Sequence, residues 1–481
     1  MATVTVDSGK HTVRRSAGSS LVSLLGAAAA GGGGILVSWL VARALSPTAA
    51  GAFFTSTSLF LLLASIARLG TPTSVVYWIA SKRKAAQLGA LGDIYRNAFL
   101  APLVGAGACS LLLLTFASYL PNPTLAAILA AVLPLAVVSE ILLAAGRGFN
   151  RMGPTVAIEK IGRTLSQVVL LAVVAVAFSG NLTATTLAWS MPYLPAALLA
   201  AWTVWRLPRA HGQNGSLPAR DFWSFTGPRA AASVVQLALQ RLDIVLVGAL
   251  AGLEAAAVYT VATRFIVVGQ MVSGAIGQAL QPRIAANVGQ PAKLSELYQT
   301  STAWIVALTW PIYISIAMSA DIYLRLFGSD YIRGDARTVI WILAPSMMVA
   351  AACGIVDTVL AMAGKTSWQF YNVSIALAVN IVLNVVLIPR IGIVGAALAW
   401  AVSLMCKNLI PLYQVYRGFG YRPWGTLCLT CIACSGLHLI LIILCAQFGT
   451  SAQLIGTGIG LLAWGVIVLG YARRLLSLWE K

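Results

Sequence analysis

Apolar runs of about 20 residues, separated by short polar segments, make up almost the whole chain. An α-helix of this length crosses the hydrocarbon core of a bilayer and bonds its own backbone N–H and C=O groups where there is no water. Of the 481 residues, 59% are hydrophobic and 9% are charged, whereas about a quarter are charged in soluble globular domains. The sequence predicts an all-α polytopic membrane protein with about fourteen transmembrane helices, at residues 21–40, 50–79, 98–120, 124–145, 155–179, 183–205, 225–251, 255–280, 298–324, 339–363, 369–388, 394–415, 427–448 and 454–472.

Lysine and arginine in the short loops predict the orientation of these spans, because cytoplasmic loops carry an excess of both. The bases concentrate in alternate loops, and the loops around residues 121–123, 179–181 and 449–450 carry none. The segment 321–337 departs from the pattern, since it mixes three arginines with three aspartates. Both termini are therefore predicted to be cytoplasmic. The basic set is Arg14, Arg15, Lys82, Arg83, Lys84, Arg147, Arg151, Arg206, Arg209, Arg220, Arg283, Lys293, Lys365, Arg417, Arg422, Arg473 and Arg474.

The net charge of +19, from 32 Lys and Arg against 13 Asp and Glu, is compatible with a nucleic-acid partner. Few basic clusters lie outside the loops, however, so we attribute the excess to topology and to an anionic ligand, and expect no nucleic acid. All seven cysteines lie inside apolar runs. Cys428, Cys431 and Cys434 have a spacing known among cluster ligands, but we interpret them as packing residues and predict neither a metal nor a cofactor.

Two stretches repeat faintly along the chain. Residues 246–259 (LVGALAGLEAAAVY) echo residues 40–54 (LVARALSPTAAGAFF), and residues 359–367 (VLAMAGKTS) resemble residues 142–148 (LLAAGRG). Between the halves, the polar segment 206–221 is rich in Gly, Pro and Arg, which is typical of a linker. The repeats predict two halves in the same orientation with a transport cavity between two bundles. Chance similarity between helices rich in small residues is the alternative.

Charged residues inside apolar runs are the candidate functional residues, since a lone charge there costs roughly 3 kcal/mol on insertion scales. Arg68 lies beside a break in its run at residues 69–72 (LGTP) and is expected to face a cavity, because irregular backbone at membrane depth needs protein or water around it. Arg241, Asp243 and Arg264 lie together in the stretch 236–265. The other acidic candidates at or near membrane depth are Glu140 and Asp357.

The stretch 380–403 (NIVLNVVLIPRIGIVGAALAWAVS) combines an Asn-rich helix, a Leu-Ile-Pro turn and a Gly-Ala-Ala helix start. It resembles the polysaccharide flippases of the multidrug, oligosaccharidyl-lipid and polysaccharide exporter superfamily. LVARALSPTAAGAF is similar to the end of that family's first span, RLDIVLVGALAGLEAAAVYTVATRF to its seventh and eighth, and ILAPSMMVAAACGIVDTVLAMAGKTS to its tenth. The resemblance covers nearly all of residues 17–475.

The resemblance implies two six-helix bundles that face each other in a V, with two additional helices at the C terminus. The expected divisions are a cytoplasmic N-terminal tail (1–16), the first bundle (17–206), a cytoplasmic linker (207–221), the second bundle (222–417), helices 13 and 14 (424–472) and a cytoplasmic tail (473–481). The implied location is the bacterial cytoplasmic membrane.

The implied function is translocation of a polyprenyl-pyrophosphate-linked oligosaccharide from the cytoplasmic to the outer leaflet, with no catalytic step. Arg68, Arg241 and Arg264 are the expected pyrophosphate ligands, since a guanidinium presents a fork of donors that fits phosphate oxygens. Asp243 and Asp357 are the expected coupling or charge-partner residues, acting with H⁺ or Na⁺. The expected partners are membrane lipids, a polysaccharide polymerase and glycosyltransferases.

Three alternatives remain open on the residues alone. A cation-coupled multidrug exporter of the same superfamily would use cavity carboxylates, whereas arginine dominates this predicted interior. A lipid II flippase typically carries charges in its first span, which here has small residues around Gly31–Gly34. A membrane glycosyltransferase or polymerase would usually expose a larger polar loop. Each arginine could also be a structural charge paired within its bundle, Arg241 above all because Asp243 is near.

Overall fold

The computed structural model describes residues 26, 28–115, 117, 122–207, 215–287, 290–332 and 334–479. These residues form helices and connecting turns, without strands. Contacts between helices divide the chain into two compact units, Met1–Ala257 and Val258–Lys481. The first unit contains α1 (Ala28–Ala44), α2 (Pro47–Arg68), α3 (Thr71–Lys84), α4 (Leu91–Thr115), α5 (Pro123–Gly148), a π-helical segment (Thr155–Arg163), α6 (Thr164–Ala177), α7 (Leu182–Ser190), α8 (Tyr193–Trp205) and α9 (Ala219–Leu250).

The next helix, α10 (Leu253–Ala262), crosses the boundary between the units. The second unit continues with α11 (Ile266–Ala286), α12 (Pro291–Met318), α13 (Ala320–Phe327), α14 (Ala336–Ala352), α15 (Val356–Met362), α16 (Thr366–Phe419), α17 (Thr426–Ala446) and α18 (Thr450–Trp479). Within it, α12 packs against α14 and α17, and α14 and α15 pack against α16. In the first unit, α2 packs against α5 and α9, and α5 packs against α3 and α8.

Ten helices of the described residues are long and apolar enough to cross a membrane, and the bent pair α10 and α11 brings the number to eleven if it forms one span. The 54-residue α16 would be about 81 Å long if straight, far more than the roughly 30 Å of hydrocarbon. Its backbone leaves the helical region at Ile391 and Gly392, so it provides two spans, as the runs 369–388 and 394–415 predict. The multi-pass, all-α class is confirmed, and the count of fourteen stays a prediction.

The break predicted at residues 69–72 is confirmed. Helix α2 ends at Arg68, Leu69 (φ 48°) and Gly70 (φ 69°) take the left-handed conformation, and α3 begins at Thr71. Several breaks inside the other predicted runs were not predicted, and two of them bear on the charged residues. Helices α10 and α11 meet at a 48° bend inside the run 255–280, and α14 ends ten residues before Met362, with Gly354 left-handed (φ 66°) before α15 begins.

Several predicted bounds change in the structure. Helix α9 begins at Ala219, inside the predicted linker, because the extended Pro218 ends the loop there. Helix α18 continues to Trp479, past the predicted end of the last span at residue 472. Residues 1–25 and 27, 208–214 and Arg333 lie outside the described residues, and with them the predicted N-terminal tail, the start of the first span and most of the linker. The predicted bundles 17–206 and 222–417 stay a prediction, while α9 packs within the first unit.

The seven cysteines are free thiols. Cys428 is buried and packs with Ala303 and Val306 in a small apolar cluster between α12 and α17. Within the described ranges, no three His, Cys, Asp or Glu side chains come together in a way that could hold a metal ion.

Candidate functional site

The break after α2 fixes the position of Arg68. Gly70 presses so closely on α9 that a Cβ added there would lie 2.6 Å from the backbone nitrogen of Ala230. The hydroxyl of Thr71 donates to the carbonyl of Arg68 at 2.8 Å, which satisfies one acceptor at the end of α2. Since both the left-handed conformation and the close approach require glycine, the sequence itself determines where α2 ends. A cation at that helix terminus is favoured by the macrodipole.

Arg68 is held on two sides. Its Nε donates to the carbonyl oxygen of Ala64 at 3.0 Å, one turn back on α2. Its Nη1 forms an ion pair with Oε2 of Glu140, from the middle of α5, and the two side chains are 21% and 26% exposed. Arg68 is thus a paired charge, but a partly accessible one, so an anion of higher charge can compete with Glu140 for it.

Arg163 is a second cation near Arg68, and sequence reasoning missed it. Its Nη1 donates to Oε1 of Gln167 and to the hydroxyl of Tyr193, both at 3.3 Å. The guanidinium carbon lies 4.8 Å from the centroid of the Tyr193 ring. The charges of Glu159 and Arg163 both act on Arg68. The signal was present in the sequence, since Glu159 and Arg163 are charges inside the predicted span 155–179.

The segment that carries Glu159 and Arg163 is π-helical over nine residues, Thr155–Arg163. π-Helical turns are rare and are found frequently at functional sites. The added width of the turn lets the carbonyl of Ala157 approach Gly162, where a Cβ would lie 2.7 Å from that oxygen. The segment therefore combines a conformation typical of functional sites with two of the charges that surround Arg68.

Arg241 reaches the same group of residues from α9. It is half-buried, the charge of Asp243 acts on it, and the neutral Tyr193 lies in its electrostatic surroundings. Asp243 is 5% exposed, and its Oδ1 accepts a hydrogen bond from the backbone nitrogen of Ile244 at 2.9 Å. Arg163 contacts Tyr193 directly, and Arg68 and Arg241 lie in the electrostatic surroundings of the same residue. We call Arg68, Arg163 and Arg241 the arginine cluster.

Tyr193 itself is fixed by aromatic packing. It is 6% exposed, and its ring centroid lies 5.7 Å from that of Phe60 and 5.5 Å from that of Trp189. The amide of Gln167 donates to the carbonyl of Trp189 at 2.8 Å, which orients the oxygen that Arg163 uses. The arginine cluster is therefore preorganised around a rigid centre, with Glu140, Glu159 and Asp243 as its nearby carboxylates.

Arg264 lies at the bend between α10 and α11. Its Nε donates to the carbonyl of Thr260 at 2.9 Å, which repeats the arrangement of Arg68 with Ala64. The hydroxyl of Tyr323 on α13 donates to the carbonyl of Val261 at 2.8 Å. Arg264 belongs to the other unit, so its predicted sharing of one ligand with Arg68 stays a prediction.

Asp357 lies in the first turn of α15, after the unpredicted break. Its Oδ1 is buried and has no hydrogen-bond partner among the described residues. The charge of Lys407, on the second half of α16, acts on it. The hydroxyl of Tyr298 donates to the carbonyl of Cys353 at 2.7 Å and closes the break beside it. Asp357 is thus a half-buried residue with one buried carboxylate oxygen, in the electrostatic surroundings of a lysine, which fits the coupling role expected for it.

A family model described as "Polysaccharide biosynthesis protein" matches residues 17–288, more than half of the chain. The chain belongs to this family. A second model, MatE, matches residues 228–386. A curated relative, the "Probable low-salt glycan biosynthesis flippase Agl15" of Haloferax volcanii, is 21% identical over 213 residues, which are 44% of this chain and 45% of the relative. The match therefore spans less than half the length of that relative.

Solved structures share the fold along most of their length. The lipid II flippase MurJ in an inward closed conformation has a TM-score of 0.72 at 13% identity, over 95% of this chain and 99% of MurJ. A multidrug resistance MATE family transporter of the MOP superfamily, in its inward-facing conformation, has a TM-score of 0.62 at 14% identity, over 79% and 94%. A MOP superfamily transporter from Pyrococcus furiosus has a TM-score of 0.57 at 14% identity, over 83% of this chain and 94% of that transporter. This member of the polysaccharide biosynthesis family thus has the fold of that superfamily, and the resemblance seen in the sequence is confirmed.

Proposed function

We propose that the protein is a flippase that moves a polyprenyl-pyrophosphate-linked oligosaccharide across the bilayer by alternating access. The arginine cluster carries this proposal, because Arg163 contacts Tyr193 and two more guanidinium groups, those of Arg68 and Arg241, lie in the electrostatic surroundings of that tyrosine among membrane helices. A pyrophosphate has the charge and the oxygen geometry that such a cluster binds. The family match and the glycan flippase among the relatives support a saccharide-bearing ligand.

Binding of the pyrophosphate is an exchange of counter-ions. Glu140 pairs with the Nη1 edge of the Arg68 guanidinium. A diphosphate offers more negative charge and more acceptor oxygens than one carboxylate, and in a low dielectric this difference is amplified. The arriving ligand displaces Glu140 from Arg68 and also reaches Arg163 and Arg241. Without ligand, Glu140 offsets part of the positive charge of the arginine cluster. This lowers the free-energy cost of holding that charge inside the membrane.

The coupling step belongs to carboxylates that the pyrophosphate does not use. Asp357 has an unsatisfied buried oxygen and the charge of Lys407 acts on it, so uptake of a proton or a cation changes the charge at this place. Asp243 lies beside Arg241 and is suited to hold that arginine when the ligand has left. Both residues therefore act on the return step rather than on ligand affinity.

The proposed function also implies where in the cell the protein acts. We propose that the protein lies in a bacterial cytoplasmic membrane with both termini in the cytoplasm, receives its ligand from glycosyltransferases and delivers it to a polysaccharide polymerase. Deletion then leaves lipid-linked oligosaccharide on the cytoplasmic leaflet and removes a surface glycan.

A cation-coupled drug exporter is the second candidate, favoured by the MatE match over residues 228–386 and by the buried, unsatisfied carboxylate oxygen of Asp357. The test is flipping of lipid-linked oligosaccharide in proteoliposomes, beside the drug sensitivity of a deletion strain. The flippase proposal expects transport that requires Arg68 and Arg163 and is unaffected by Arg206→Ala, an exposed arginine stacked on Trp202. A deletion that changes only sensitivity to cationic drugs would favour the exporter.

A further inference from the structure

An aromatic stack lies on the cytoplasmic side of Arg68 in the proposed topology. Tyr77 of α3 and Phe225 of α9 are stacked, with ring centroids 4.1 Å apart and planes at 19°. Arg229, one turn further along α9, has its guanidinium carbon 3.5 Å from the centroid of Phe225 and donates from Nη1 to the Phe225 carbonyl at 2.8 Å. Trp78 contacts both rings edge-on, at 5.2 Å and 5.7 Å.

The exposure of these rings differs. Phe225 is covered by Tyr77 and by Arg229, whereas Tyr77 remains 47% exposed. The stack therefore exposes the ring of Tyr77, which is supported on its other side by Phe225 and Arg229. Tyr77, Phe225, Arg229 and Trp78 are called the aromatic platform below.

Two buried polar atoms next to the platform have no partner. The hydroxyl of Ser74 and the indole N–H of Trp78 are both buried without a hydrogen bond among the described residues. Residues four apart lie on the same face of a helix, so the two groups are neighbours on α3. Buried polar groups in native proteins are normally satisfied. Both atoms are closed to solvent, so a ligand on the exposed Tyr77 ring can reach them only when the side chains that cover them move.

The platform is close to the arginine cluster along the chain and in space. Tyr77 lies six residues after Thr71, which is roughly 9 Å along the axis of α3. Gly70 contacts Ala230, the residue that follows Arg229. The helix break thus joins Arg68 on one side to Tyr77 and Arg229 on the other, within the first unit.

We propose that the aromatic platform binds the sugar nearest to the pyrophosphate of the lipid-linked substrate. The inference rests on the proposed function and adds the part of the substrate that the arginine cluster does not recognise. The C–H groups on one face of a sugar ring carry slight positive charge and pack against the negative face of an aromatic ring. When the side chains that cover these atoms move, the sugar hydroxyl groups accept from the Trp78 indole and exchange hydrogen bonds with Ser74.

The same protein contains a matched aromatic surface without these features. Trp202, near the end of α8, is also 47% exposed and also carries an arginine, Arg206, at 3.7 Å from its ring. No second aromatic ring stacks on it among the described residues, and its indole nitrogen is not among the buried atoms without a partner. Trp202 is therefore a membrane-interface aromatic residue of the ordinary kind and a control for Tyr77.

The experiment compares two probes, undecaprenyl pyrophosphate and the same lipid carrying one N-acetylglucosamine, bound to the full-length protein in nanodiscs. We expect Tyr77→Ala to weaken the binding of the sugar-bearing lipid by about threefold to tenfold, which is the contribution of one aromatic stacking contact. The affinity for the sugar-free lipid should not change. Tyr77→Phe should bind both lipids as the wild type does. Trp202→Ala should also leave both affinities unchanged.

A second variant covers the case in which Tyr77→Ala fails to fold. Trp78→Phe keeps an aromatic ring, although a smaller one, and removes the N–H, so it should weaken the binding of the sugar-bearing lipid only. Equal weakening of both lipids by Tyr77→Ala, or a wild type that binds both equally, would overturn the platform. A wild type that binds neither lipid would instead overturn the proposed function, because the arginine cluster alone should hold the pyrophosphate.

Discussion

The two helix breaks, α2 to α3 in the first unit and α14 to α15 in the second, use the same backbone device with opposite charge. Each contains a left-handed glycine, Gly70 at φ 69° and Gly354 at φ 66°. Each glycine is pressed against a neighbouring helix, Gly70 on Ala230 and Gly354 on the Thr302 hydroxyl. The first break has a cation at the end of the preceding helix, and the second has an anion at the start of the following one.

The difference shows how a helix terminus selects the charge beside it. The C-terminal end of α2 carries partial negative charge and favours Arg68, while the N-terminal end of α15 carries partial positive charge and favours Asp357. Their surroundings differ as well, because Arg68 is paired with Glu140 and Asp357 has an unsatisfied oxygen. The first break is thus suited to release a carboxylate and accept an anion, and the second to accept a proton or a cation.

Removal of Arg68 should have the largest effect. Arg68→Ala leaves Glu140 without its partner and removes charge-assisted hydrogen bonds to the ligand, so we expect flipping to fall by about 100-fold or more. Loss of one partner of a buried pair costs about 3–5 kcal/mol, and we expect the lower end because both side chains are about a quarter exposed. The measurements are flipping in proteoliposomes and Tm in detergent.

The double variant Arg68→Ala with Glu140→Gln separates the two effects. It should recover Tm, since no unpaired carboxylate remains, but not flipping. Recovery of both would show that Arg68 acts only on stability.

The loss of Tm on substitution of a glycine by alanine should depend on which atoms the new methyl group contacts. Gly70→Ala meets a backbone atom at 2.6 Å, Gly354→Ala meets a threonine hydroxyl, and Gly364→Ala meets nothing within 4 Å although its φ is +77°. Gly364→Ala isolates the conformational cost, about 1–2 kcal/mol. Overpacking adds about 1–3 kcal/mol, so we expect the loss of Tm to be largest for Gly70→Ala and intermediate for Gly354→Ala. An equal loss for all three would mean that the close contacts relax freely.

Neutralising Asp357 should slow the transport cycle without weakening the binding of the ligand. Asp357→Asn removes the charge opposite Lys407, and we expect turnover driven by an ion gradient to fall by about tenfold, an ordinary coupling free energy. Affinity for lipid-linked oligosaccharide should stay unchanged, because the arginine cluster is intact. The control is Asp321→Asn, an exposed carboxylate that is bonded to Arg337 at 2.9 Å. A loss of affinity equal to the loss of turnover would contradict the coupling role.

The sequence predicts one of the two breaks because their residues differ. Pro72 and Gly70 together interrupt the run 50–79, whereas Gly354 stands alone among small apolar residues that a helix tolerates. Glu140 and Arg68 were both recognised as membrane charges, but their pairing depends on how α2 and α5 pack, which no local pattern contains. Arg163 was missed because it was treated as part of a span, and its contact with Tyr193 joins residues 30 positions apart.

Glu140→Gln is the finest test of the comparison, since it changes only the counter-ion of Arg68. In the exchange that we propose, the Arg68–Glu140 pair holds the empty site closed to anions, and apparent affinity is reduced by the fraction of protein in that paired state. Glutamine keeps a hydrogen bond to the guanidinium but not the charge, so binding of undecaprenyl pyrophosphate should tighten by about threefold to tenfold. Glu254→Gln, an exposed carboxylate in the first turn of α10, is the matched control and should bind as the wild type does. Unchanged or weaker binding by Glu140→Gln would mean that the carboxylate supports the fold of the first unit and does not compete with the ligand.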